Sequence, residues 1–138
     1  MKVETLTMQF GNLKNNGCDL MLMWEDVALK LPISTDVDSK VMAQIEENMK
    51  TDKPAYFQAA MYYADNNKDL NKAQEWINKA AQEQPDAFWV IHQQANILAK
   101  ANKKPEAIAA ANKSLALAKA AKNDNYVDLN VKLLAKLK

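Results

Sequence analysis

The chain has 138 residues, 49% of them hydrophobic and 25% charged, which suits one small packed domain and excludes wholesale disorder. Its 18 cationic side chains are all lysine and face 17 acidic ones, so the net charge of +1 gives no general attraction to nucleic acid or an anionic membrane. Without arginine there is no planar fork to read guanine or clamp phosphate, which argues against sequence-specific DNA binding and phosphate-handling catalysis.

From the N-terminus, Leu6, Met8 and Phe10 alternate with polar residues, and Leu20, Leu22 and Trp24 repeat the same spacing. Between them Asn15, Asn16 and Gly17 tolerate positive φ, so the pattern predicts a β-hairpin. Val27, Leu29 and Leu31 continue the alternation with a phase slip at Glu25 and Asp26, read as a bulge, and Pro32 ends the second strand. A two-stranded sheet is marginal alone in water, so it must lie on the helices, pair with another chain, or be the remnant of a larger β domain. Cys18, beside the turn, is expected to be partly buried; as the single cysteine it excludes an internal disulfide and a thiolate metal site.

Ser34, Thr35 and Asp36 offer caps for an amphipathic helix whose apolar stripe is Val37, Val41, Ile45 and Met49. Two helix pairs are then predicted, 54–66 with 69–84 and 86–101 with 105–122, turning at 66–68 and 102–104 and joined through Pro85. Ala73 and Ala107, 34 residues apart, open the second helix of each pair, and self-similarity at that period marks stacked helical repeats. Asn123 to Asn125 cap a last helix with an apolar edge of Val127, Val131, Leu134 and Leu137, a solvating cap for the open end of the stack. Charge divides along the chain: residues 1–52 carry five lysines and nine acids, net −4, and residues 87–138 carry nine lysines and three acids, net +6. Solvated helix faces explain this more simply than a basic end that draws an acidic partner or a second copy.

The repeats resemble the tetratricopeptide repeat family, whose second helix wants a small residue, a large apolar one, another small one and often proline. Ala73, Ile77, Ala80 and Pro85 fit, and the second copy has Ala107, Ala111, Ser114 and Lys119, the large apolar place reduced to alanine. In the first helices Tyr56, Ala60 and Tyr63 fit with one inserted turn residue, and Ile91, Ala95 and Leu98 fit without it; Gln94 departs from the pattern. Over nearly the whole chain, DLMLMWEDVALKLPI, KDLNKAQEWINKA, DAFWVIHQQANILAK and AIAAANKSLALAKAAKNDNYV together resemble the C-terminal part of domain of unknown function 2911, an uncharacterised family of exported Bacteroidetes-type proteins. That resemblance implies a chain starting mid-protein after a β-rich region, and a place in the periplasm or cell envelope. It transfers no catalytic residues. Taken alone, MKVETLTMQF has no signal-peptide core, which implies a cytoplasmic chain if Met1 is the natural start. No apolar run reaches the ~20 residues that cross a bilayer.

Chemistry-bearing constellations are sparse. His92 is the sole histidine and no acidic residue converges on it in sequence, so a structural or groove-lining role outweighs catalysis. Asp36, Asp38 and Ser39 have part of the spacing of a calcium loop but lack its glycine and terminal glutamate, and are read as helix caps. Gly11 and Gly17 are the only glycines, so no phosphate cradle exists, and the three serines have no nucleophile-elbow context. No cofactor or metal is expected.

One binding site is expected. Trp89, His92, Asn96 and Lys100 share a face distinct from the inward stripe of Ile91, Ala95 and Leu98, and Phe57, Met61 and Asp65 extend it from the first copy. In tetratricopeptide repeats that face lines the concave groove, where an aromatic anchor beside hydrogen-bonding groups and an ammonium can hold an extended peptide or its carboxylate. The competing expectation is that Trp89, Phe57 and Met61 pack on neighbouring elements. The sequence therefore predicts a mainly α chain: a β-hairpin over 1–33, then over 34–138 a right-handed α-α superhelix of two helix pairs with flanking capping helices. Its expected work is non-catalytic protein or peptide binding. The alternatives are a structural buttress for a larger envelope protein, dimerising through the hairpin, and an accessory to an enzymatic β domain.

Overall fold

A computed structural model describes residues 3–138; residues 1 and 2, where the expected hairpin segment begins, lie outside the described residues. The described chain is mostly helical with an N-terminal antiparallel sheet. It divides into two compact units, Met1–Asn48 and Met49–Lys138.

The first unit holds three strands rather than the predicted two: β1 (Val3–Lys14), β2 (Gly17–Glu25) and β3 (Val27–Ser34), in the order β1-β2-β3. What the sequence suggested as a bulge is a reversal. Trp24 pairs with Val27, and Glu25, at φ 49°, takes the left-handed conformation of a tight hairpin turn. Neither glycine nor asparagine marks this turn, which is why it reads as a phase slip. The register irregularities sit instead in β1, one between Val3 and Thr7 and one between Gly11 and Lys14, where Asn12 has φ 50°. At the first hairpin Lys14 pairs with Gly17, and a Cβ on Gly17 would come within 2.5 Å of the Ile33 carbonyl oxygen, so only glycine fits there. Pro32 does not end a strand. It pairs with Asp19 inside β3, an edge strand whose outer side makes no ladder bonds and so tolerates a missing N–H.

Alternation gives the sheet two unlike faces. Cross-strand rows Met8–Leu22–Leu29 and Phe10–Leu20–Leu31, with the pairs Trp24–Val27 and Cys18–Ile33, form one apolar face. The other is mixed: it carries Gln9, Asp19 and Lys30 together with Met21, Met23 and Pro32, with a 2.9 Å ion pair from Lys30 to Asp19 and a 2.6 Å hydrogen bond donated by Asn12 to Asp19. Helix α1 (Val37–Asn48) follows; Asp36 accepts at its start from the Ser39 backbone N–H at 3.1 Å and the Ser39 hydroxyl at 2.7 Å. Helix α1 falls in the first unit and buries no residue.

The second unit is built from α2 (Tyr56–Asp65), α3 (Leu70–Glu83), α4 (Phe88–Lys100), α5 (Lys104–Ala120) and α6 (Asp124–Leu137). Each packs on the next, and α2 with α4 and α4 with α6 also touch. Three of the four connections use one device. Asn67, Asn102 and Lys122 adopt φ of 51°, 60° and 54°, and the following N–H returns to the carbonyl five residues back: Lys68 to Tyr63, Lys103 to Leu98 and Asn123 to Ala118. These are Schellman stops, served here by asparagine and lysine in place of glycine. Asp69 starts α3 by accepting from the Asn71 and Lys72 N–H groups, Pro105 sits in the first turn of α5, and Asn123 caps α6.

The core lies in this unit. Ile77, Ile91, Ile97, Val90 and Tyr63 fill it, and Ala73, Ala80, Ala95, Ala107, Ala111 and Ala118 are buried where helices approach closely. Trp76 meets Tyr63 edge-on at 4.7 Å. The predicted edge of α6 needs one correction: Asn130 is fully buried while Val131 is half exposed, so the inward stripe is rotated by one residue from the one hydrophobicity alone suggests.

Candidate functional site

The expected binding face lies on α2 and α4, and its members have different environments. Asp65 and Lys100 come together, 4.0 Å apart, and the Lys100 ammonium donates at 3.0 Å to the Ala64 carbonyl. Lys100 thus sits at the C-terminal end of α2, where unsatisfied carbonyls and the helix dipole favour a cation. Asn96 is half-buried and donates to Gln93 at 3.2 Å. Phe57 and Met61 are half-buried on α2. Trp89 is 43% exposed at the head of α4, its ring edge-on to Phe88 at 5.0 Å. Among these seven residues, Lys100 joins α4 directly to α2.

His92 is not on an open face. It is 6% exposed, covered by α6, and its Nδ1 lies 2.8 Å from the Asn130 amide oxygen. An amide oxygen only accepts, so Nδ1 carries the proton and donates. The Asn130 amide nitrogen donates in turn to Ser114 Oγ at 2.9 Å and to the Tyr126 carbonyl at 2.8 Å, and Ser114 Oγ donates to the Phe88 carbonyl at 2.7 Å. Tyr126 closes the node with its ring, 5.0 Å from Phe88 and 5.6 Å from His92. One polar network thereby fixes α4, α5 and α6 in a single register, and no buried side-chain polar atom among the described residues lacks a partner.

Sequence reasoning missed Asn130, Tyr126 and the burial of Ser114. A signal was present: Asn130 falls three residues after Val127 and four before Leu134, inside an apolar stripe. A polar residue in that place implies a partner across the interface. Ser114 was singled out for its small size, but its hydroxyl also supplies a hydrogen bond that alanine at that place could not.

Two clefts flank the outer helices. One, of about 440 Å³, lies between α5 and α6 and is lined by Ile108, Val131, Leu134 and Ala135 with Asn112 and Lys138. The other, of about 510 Å³, runs over α3, α4 and α5, where Gln94 donates to Asn78 at 2.8 Å beside Gln82, Glu106 and Lys113. Gln94, the residue that departs from the repeat pattern, therefore bridges α3 and α4. Among the described residues no three His, Cys, Asp or Glu side chains are grouped to hold a metal ion, and no helix is long and apolar enough to cross a membrane.

The sheet presents a third surface. On its apolar face Phe10 is 64% exposed, and Met8, Trp24, Val27, Leu29, Leu31 and Ile33 are also exposed. No family model matches the chain, and no curated protein matches it.

Proposed function

We propose that the helical unit is a non-catalytic, tetratricopeptide-like module, a short right-handed α-α superhelix that binds a protein or peptide partner across α2 and α4. The resemblance to domain of unknown function 2911 adds that it works in the periplasm or cell envelope. The observation that carries this reading is Trp89: a large aromatic side chain left open on a helix held on both flanks, by Lys100 on α2 and by His92 on α6. An exposed aromatic anchor on a rigid support is how small interfaces concentrate their binding energy. The non-catalytic part is supported by the state of the two groups with most chemistry: His92 Nδ1 is engaged by an amide, and the Ser114 hydroxyl is buried against a backbone carbonyl.

The test is to pan a random peptide library on the 138-residue chain and compare selected peptides on wild type and Trp89→Ala. The expected outcome is at least tenfold weaker binding by the variant, with folding stability changed by less than about 1 kcal/mol because the side chain is already partly solvated. A loss of roughly 3–5 kcal/mol would identify Trp89 as core instead and sink the groove.

A second reading is favoured by the open apolar face of the sheet. In it, the sheet is an assembly surface and the helical unit has a structural role. The two readings concern different units and can both hold.

A further inference from the structure

We propose that the apolar face of the sheet is a self-association surface, on which a second copy of this chain packs its own sheet face to face about a two-fold axis. This rests on the reading of that face as an assembly surface and adds the occupant.

Area is the first argument. The exposed side chains on this face leave on the order of 800 Å² open, beyond the largest patch of an ordinary monomer and about what each partner contributes to a standard-size interface. The hydrophobic face of a sheet reaches a stable arrangement by burial against another layer. A copy of the same face matches it in area and chemistry, and two such sheets pack at about 10 Å with their strands within about 30° of each other.

Charge is the second. The rows through Leu22 and Leu20 place no charged residue on this face, while Asp19, Lys30 and Gln9 stand on the opposite one. A two-fold contact sets each patch against itself, so any charge would meet its like. This face carries no such penalty, and it offers nothing by which a partner chosen for its charge would be recognised. Face packing also differs from pairing along a strand edge: it uses side chains of all three strands and leaves the outer backbone of β1 and β3 free.

The experiment is sedimentation equilibrium of the 138-residue chain from low micromolar to about 100 µM, with the alkylation rate of Cys18 measured over the same range. Cys18 pairs with Ile33 on this face and is the only cysteine, so it reports coverage without any substitution. The expected result is a monomer–dimer equilibrium in which Cys18 alkylation slows as dimer forms. Leu29→Lys and Leu31→Lys each weaken association at least tenfold. Association that survives both substitutions overturns the proposal in favour of edge pairing. A chain monomeric throughout also overturns it. If that monomer binds a hydrophobic dye strongly and alkylates fast, the assembly reading survives without this partner; weak dye binding and slow alkylation remove both.

Discussion

The helical unit and the sheet draw on the same kinds of apolar side chain and use them in opposite ways. Ile77, Ile91, Ile97 and Val90 are sealed between helices, because each helix has neighbours on several sides and alanines at the crossings let them approach. Phe10, Leu29 and Leu31, equally apolar and regularly spaced, stand in solvent. A single sheet layer satisfies its backbone through its own ladder but covers its side chains only in part: the central strand is half-buried and β3 is exposed. Hydrogen bonding and burial are therefore separable, and the cohesion of the sheet depends on whatever covers its apolar face.

The sharpest break in that comparison is Ile77→Ala against Leu31→Ala. The first removes a fully buried side chain and is expected to cost about 2–5 kcal/mol in urea unfolding; the second, at a residue that is 42% exposed, should cost less, about 1 kcal/mol in the monomer, because only part of a side chain's burial is lost. A smaller effect sharpens the account of the helical unit. Asn130→Ala leaves His92 Nδ1 and Ser114 short of a partner and should cost about 1–3 kcal/mol, with hydrogen exchange accelerated first in α6. Smaller still, and of opposite sign, Lys122→Gly relieves a side chain held at φ 54° and should stabilise by about 0.5–1 kcal/mol, read as a higher unfolding midpoint.

The last and smallest effect concerns the sheet and pH. The hydrogen bond from Asn12, then that from Lys30, holds the Asp19 carboxyl below the ordinary aspartate range. A lowered folded-state value means a contribution present in full above the unfolded value and lost as the pH falls through the folded one. Asn12→Ala should move the Asp19 titration back up toward the ordinary range, measured by carboxyl NMR, so that acid loosens the sheet at a higher pH than in the wild type.

Legibility in the sequence follows the range of the interaction. Helix starts and stops are set within one turn, so Asp69, Pro105, Asn123 and the Asn-rich turns were readable, as were the small residues at 73, 80, 107 and 114. The Glu25–Asp26 reversal was not, because its backbone conformation is imposed by the pairing of β2 with β3 and not by residues that prefer it. In the candidate groove, helical spacing set Asp65 and Lys100 on one expected face, while their meeting depends on how α2 packs on α4. The burial of His92 did not, since it depends on where α6 lies and on which of its faces is turned inward.

By itself the amino-acid sequence determined which segments are helical, where most of them end, and that one face of the sheet is apolar. These follow from backbone preference and side-chain period, both properties of a few neighbouring residues. Only the tertiary structure decided that β3 is a separate strand, that Asn130 rather than Val131 points inward, and that the sheet's apolar face is open while the helical core is closed. Burial is a relation between elements distant in the chain, and periodicity shows which side could be covered without showing what covers it.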